Sequence, residues 1–156
     1  MSNPHRKPRR NKRHNPSRWT REAPMLISTS YALDPVLDII DQLEHGDGHV
    51  HTDAKGVPIF KPRWDQGWFA MVPALQGIVE MFEAWGVRHD RNVPLDPVRQ
   101  LARRLELDMP ITALETQAVR RVLPALRRIG ATMSRTEADY LIRNTQIKEL
   151  LEGRAA

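Results

Sequence analysis

At 156 residues and 40% hydrophobic content the chain is sized for one domain with its own core, and the absence of cysteine excludes disulfides, thiolate metal sites and cysteine nucleophiles. The formal charge of +5 is unevenly spread: the first 21 residues carry eight basic side chains and no acid, leaving sixteen basic against nineteen acidic beyond them, a net of −3. No apolar run approaches the roughly 18 residues of a membrane span, and the basic N-terminus lacks the apolar segment of a signal peptide, so a cytoplasmic protein with no membrane partner is expected.

Residues 1–24 combine basic side chains with Asn, Ser and Pro, and Trp19 is their one large aromatic group, so no face exists to bury and a disordered basic arm is expected. Arg6, Lys7, Arg9, Arg10, Lys12, Arg13, Arg18 and Arg21 match the closely spaced charge of nucleic-acid phosphates, each neutralised phosphate releasing counterions. Trp19 beside them can stack on a base, a contact contributing about 1 to 3 kcal/mol. RNA or DNA is the expected partner of this arm. The plainer reading of the same residues is a solubilising tail with Trp19 docked on its own domain.

A single helical domain is expected over 25–153. Met25–Tyr31 (MLISTSY) is short and β-prone without an evident partner strand, and reads as an extended lead-in. Asp34 as N-cap and Pro35 at the first helical position start the first helix, whose stripe is Val36, Ile39, Ile40 and Leu43 and which Gly46 ends. The stretch 45–60, HGDGHVHTDAKGVPIF, reads as a β-hairpin turning at DAKG. There His49, His51 and Asp53 alternate and so share one strand face, two imidazoles and a carboxylate being a donor set that zinc, nickel or non-haem iron takes. Polar alternation also arises on the wet face of any hairpin.

The aromatic-rich stretch 64–85, WDQGWFAMVPALQGIVEMFEAW, reads as the central helix. Trp68, Val72, Leu75, Val79 and Phe82 recur at helical spacing, while Trp64, Met71, Ile78 and Trp85 recur every seven, making the helix apolar on more than one side. Asp65 is the expected N-cap, with Trp64 and Phe69 as a hydrophobic staple. Pro73 is expected to kink or break the helix and Gly86 to cap it. An aromatic set of this density either fills a core or, at Trp64 and Trp85, anchors a protein partner.

The third helix takes Asp96 as cap and Pro97 at the first position, with Val98, Leu101, Ala102 and Leu105 on its apolar side, closing at Met109 and Pro110. Two capping boxes, Thr112 with Glu115 and Ser134 with Glu137, start the fourth and fifth helices. The fourth is expected to bury Leu114, Ala118, Val122, Leu126 and Ile129, to bend at Pro124, and to show Arg120, Arg121, Arg127 and Arg128 as a second basic face. The fifth uses Ala138, Leu141, Ile142 and Thr145, with Tyr140, Ile147 and Leu151, and stops at Gly153, forming an αα-hairpin with the fourth.

The fold expected is therefore mainly α, an irregular bundle of about five helices with a small β-hairpin behind the basic arm. No phosphate-cradling glycine loop, nucleophile elbow or HExxH motif is present, so neither an enzyme nor a cofactor is expected. The arm RKPRRNKRHNP, the middle segment ALQGIVEMFEAWGV and the closing MSRTEADYLIRNTQI together resemble small proteins encoded by phages and prophages of proteobacteria. That resemblance implies a phage accessory role and carries no catalytic motif. Three functions follow as alternatives. The first is an accessory binding protein gripping nucleic acid by its arm and a host or phage protein by its domain. The second is an inhibitor of a host protein acting through the acidic, aromatic domain surface, and the third a small metal-dependent enzyme built on His49, His51 and Asp53.

Overall fold

The computed structural model describes residues 26–63 and 66–155, with side-chain placement over 33–63 and 66–145. The basic arm with its expected nucleic-acid contacts, Trp64 as staple and partner anchor, and Asp65 as N-cap all lie outside the described residues. Five helices follow one another: α1 (Leu26–His45), α2 (Met71–His89), α3 (Asp96–Glu106), α4 (Ala113–Thr132) and α5 (Arg135–Ala155). Strands β1 (Ile59–Phe60) and β2 (Phe69–Ala70) pair antiparallel between α1 and α2. The chain is thus mainly α with one small hairpin, and among the described residues no helix is long and apolar enough to cross a membrane.

Leu33, Val36, Ile39, Ile40 and Leu43 recur at three- and four-residue steps on α1, and none is more than 1% exposed. This stripe packs on α4 and, less extensively, on α2. The start of α1 corrects the sequence reading: the chain is already helical at Leu26, and Pro35 lies inside the helix. LISTSY has no partner strand among the described residues, and a helix satisfies its backbone groups within the segment itself. The proline removes one amide bond, which burial of the stripe after it outweighs.

The central helix also differs from expectation. It begins at Met71, not near Trp64, and runs unbroken to His89. Pro73 therefore stands in the first turn, where the missing amide would have had no intrahelical partner in any case. The proline is a start signal, not a break. Trp68 and Phe69 fall outside the helix, on and beside β2, leaving Trp68 51% and Phe69 45% exposed. Gly86 does not cap the helix but lies buried within it, because a Cβ there would stand 2.6 Å from the Arg91 carbonyl oxygen. Asp90 makes the cap in the left-handed region (φ 50°), and the Arg91 amide donates to Gly86 O at 2.9 Å.

α3 packs on both α2 and α4, burying Val98, Leu101, Ala102 and Leu105 as expected. Its cap is Leu95; Asp96 sits in the first turn and binds Arg99 at 2.8 Å. On α4 the expected box is complete, Glu115 accepting from the Thr112 amide at 2.8 Å. The buried stripe is Thr116, Val119, Leu123, Leu126 and Gly130. Of the expected set Leu126 is buried, Val122 and Ile129 pack partly buried against the core, and Leu114 is 75% exposed, so the face is rotated by about one position. α4 continues through Pro124 without interruption. At α5 only half of the second box forms. The Glu137 amide donates to Ser134 Oγ at 3.1 Å, while the Glu137 carboxylate turns to Arg88 and His89 on α2. Ala138 and Leu141 are buried against α2, and the helix runs past Gly153 to Ala155, since a glycine ends a helix only where the chain turns left-handed after it.

Candidate nucleic-acid interface

The link from α1 to α2 carries the residues whose types and spacing suggest chemistry. Asp53 closes its turn: the Asp53 amide donates to Val57 O at 3.0 Å and Gly56 N to Asp53 O at 3.1 Å. The Asp53 carboxylate accepts the amides of Lys55 and Val57 at 2.8 and 2.9 Å. The expected hairpin over 45–60 is reduced to a single bridge, Thr52 with Pro58, plus the Ile59 amide donating to His51 O. The two-residue ladder instead joins β1 to β2, with Ile59 opposite Ala70 and Phe60 opposite Phe69.

That register sorts the side chains. Phe60 is buried, with Phe69 tilted beside it at 6.4 Å between ring centroids. Alternation sends Trp68 to the other face, and the next register position opposite it is Lys61. On that face the His51 ring lies 5.6 Å from Trp68 and 5.8 Å from His49, three exposed rings in a row. The two histidines are thus brought together as expected, while the Asp53 carboxylate faces the amides of its own turn. Among the described residues no three His, Asp or Glu side chains gather as a metal-ligand set.

The strap behind these rings is pinned to α1 by a row of acids three residues apart. Asp38, 3% exposed, accepts the Arg63 amide at 3.1 Å and the Arg63 Nε, and Asp41 accepts Arg63 Nη2 at 2.9 Å. Gln42 Nε2 donates to Lys61 O at 2.8 Å. The same acid row clamps α4: Arg120 reaches Asp41 at 2.5 Å and Glu44 at 2.6 Å. This corrects the picture of four arginines on one α4 face, for Arg120 is drawn into the clamp while Arg121, Arg127 and Arg128 remain exposed.

The clamp has an electrostatic signature. The hydrogen bond from Arg120 holds the Glu44 carboxyl below its ordinary value of 4.5, and Glu44 with Asp41 holds the Arg120 guanidinium above its own. A depressed carboxyl contributes stability that is present above 4.5 and lost as pH falls through the lowered value. Glu44→Gln is therefore expected to cost about 0.5 to 1 kcal/mol at neutral pH, as a partly exposed pair does. The gap from the parent should close on acidification below 4.5. Urea midpoints of both proteins at neutral and acid pH check this, and a gap that stays constant or widens in acid contradicts the clamp.

Of the two tryptophans expected to meet a protein partner, Trp85 does not reach the surface. It is 4% exposed and stacks on His89 at 4.6 Å, and His89 Nε2 in turn meets Glu137 Oε1 at 2.5 Å. Among the described residues, which hold two tryptophans, the exposed one is Trp68, which helical spacing alone assigns to the core. Pro73 five residues on is the signal against that assignment, since a proline tolerated in a first turn places Trp68 before the helix. Comparison with protein-family models, with characterised proteins and with solved structures finds no match.

Proposed function

We propose that the chain is a phage-type accessory binding protein of the bacterial cytoplasm that holds RNA or DNA through Arg6, Lys7, Arg9, Arg10, Lys12, Arg13, Arg18, Trp19 and Arg21 of its arm. The supporting observation is how densely cationic charge is set along the sequence. In the folded part Arg63, Arg88, Arg99, Arg104 and Arg120 each meet a carboxylate of the same domain, and the exposed Arg121, Arg127 and Arg128 of α4 share that domain with a net acidic complement. Closely spaced cations without neighbouring acids release the most counterions from phosphate. The arm, whose first 21 residues carry eight basic side chains and no acid, lies outside the described residues and is the densest cationic stretch of the sequence. The domain would then hold a protein partner. For that role the exposed apolar side chains at the α3–α4 corner, Leu107, Met109 and Leu114, are better placed than the buried Trp85. The inhibitor reading, looked for at Trp64 and Trp85 in the sequence, would move to the same corner, since Trp85 is buried and Trp64 lies outside the described residues, with the arm secondary.

The test is titration of duplex DNA and structured RNA with the parent and with Arg9, Arg10, Lys12 and Arg13 replaced together by alanine. Affinity should fall about tenfold or more at low salt. The slope of log affinity against log salt should flatten by about three to four, near 0.9 for each phosphate that the variant leaves without its cation. Equal affinities and equal slopes would overturn the arm's role. Retention of one stoichiometric protein from nuclease-treated lysate, abolished by Leu114→Arg, would favour the inhibitor.

A further inference from the structure

We infer that the exposed His49–His51–Trp68 face is a stacking platform for single-stranded nucleic acid. It takes its partner class from the reading above but stands on different residues, in the folded domain and not in the arm. Three rings meet in series, His49 edge-on to His51 at 5.8 Å and His51 tilted against Trp68 at 5.6 Å, and Trp68, the residue before β2, is half exposed at their end. An indole with this much free surface offers a π face to any base, which is why such contacts tolerate sequence.

The surroundings choose the occupant. A protein hot spot would set tyrosine or arginine beside the tryptophan. Here the flanking groups are two imidazoles, which can both stack and hydrogen-bond, and Lys61 holds the register position opposite Trp68. Lys55 stands at the exposed turn of the same strap. Rings for bases with ammonium groups for the backbone is the chemistry of single-strand grooves. A duplex keeps its bases stacked inside and cannot use the rings.

The strap is also built to hold the face still. Gln42 ties Lys61, Asp38 ties Arg63, Phe60 is buried beneath it, and the Met71 amide donates to Pro58 O at 2.9 Å. Side chains on such a support lose less freedom on binding.

The experiment uses the full chain: the parent, Trp68→Ala, Trp68→Phe, His51→Ala and the arm variant with four alanines. Each is titrated by fluorescence anisotropy against a deoxythymidine oligomer of about 12 nucleotides and a duplex of the same length. Trp68→Ala should weaken the oligomer about tenfold and leave the duplex within about twofold, and Trp68→Phe should restore most of the loss. Should Trp68→Ala not fold, judged by circular dichroism, His51→Ala reads the same face. The platform is overturned if both alanine variants bind the oligomer as the parent does, or lose oligomer and duplex by one common factor. If the arm variant binds as the parent does while Trp68→Ala loses the oligomer, the arm fails and the platform stands. If the arm variant weakens both ligands and the ring variants neither, the reverse holds.

Discussion

Replacing Phe82 by alanine is expected to destabilise the domain by about 4 kcal/mol, the middle of the range for emptying an aromatic site in a closed core. Phe82 is 0% exposed and the largest of the fully buried side chains among the described residues. It sits on α2, which packs against α1, α3 and α5 alike, so its neighbours belong to several elements and cannot close the void by a single local shift. At about 3 °C per kcal/mol for a domain of this size, the thermal midpoint should fall by about 12 °C. Leu114→Ala is the matched control. At 75% exposure it should change stability by less than about 0.5 kcal/mol. Urea unfolding of the parent and both variants measures the difference. A large loss for Leu114→Ala would restore the α4 stripe read from the sequence, and a small one for Phe82→Ala would remove α2 from the centre.

How far the sequence discloses this fold depends on the kind of signal. Apolar spacing on α1 and α3 picks out residues that are buried, and the Thr112–Glu115 box marks the start of α4, because both signals are local and need no knowledge of neighbours. On α4 the spacing is locally ambiguous. Leu126 belongs to either stripe, Val122 and Ile129 flank the buried face, and what turns Val119 and Leu123 inward and Leu114 outward is the clamp: Arg120 can meet Asp41 and Glu44 only if the face beside it turns toward α1. That is a tertiary fact. The same holds for Glu137, whose carboxylate could close its own helix but finds His89 and Arg88 on α2.

The candidate site is legible in parts. The proximity of His49 and His51 follows from strand alternation alone. That their ring neighbour is Trp68, and not Asp53 with a metal, depends on β1 pairing with β2 across the link from Lys61 to Trp68, a register no short-range pattern encodes. The aromatic spacing of 64–85 misleads because four- and seven-residue steps occur by chance in a stretch this rich in apolar residues. Among the described residues of its first third are strap and strand, and only from Met71 on does the period describe a helix.

Gly48→Ala should have the second large effect, about 3 kcal/mol, and its cause can be separated from ordinary glycine chemistry. Two left-handed residues in series, Asp47 at φ 54° and Gly48 at φ 80°, swing the chain out of α1 toward His49, with the Gly48 amide donating to Leu43 O at 2.8 Å. A side chain at that φ is strained by about 1 kcal/mol. Beyond the strain, a Cβ on Gly48 would stand 2.5 Å from the Ile111 carbonyl oxygen, a backbone atom that can yield only by moving the α3–α4 link or the end of α1. Overpacking of this kind adds about 1 to 3 kcal/mol. Gly56 supplies the comparison, because its φ is 81° but an added Cβ meets nothing within 4 Å. Gly56→Ala should therefore show the strain alone, about 1 kcal/mol. The excess measured at Gly48 by urea unfolding reports the contact with Ile111. Because Gly48 directly precedes the histidine platform, Gly48→Ala should also weaken binding of the deoxythymidine oligomer, whereas Gly56→Ala should not. Equal destabilisation by the two substitutions would mean that the Ile111 carbonyl does not rest against Gly48.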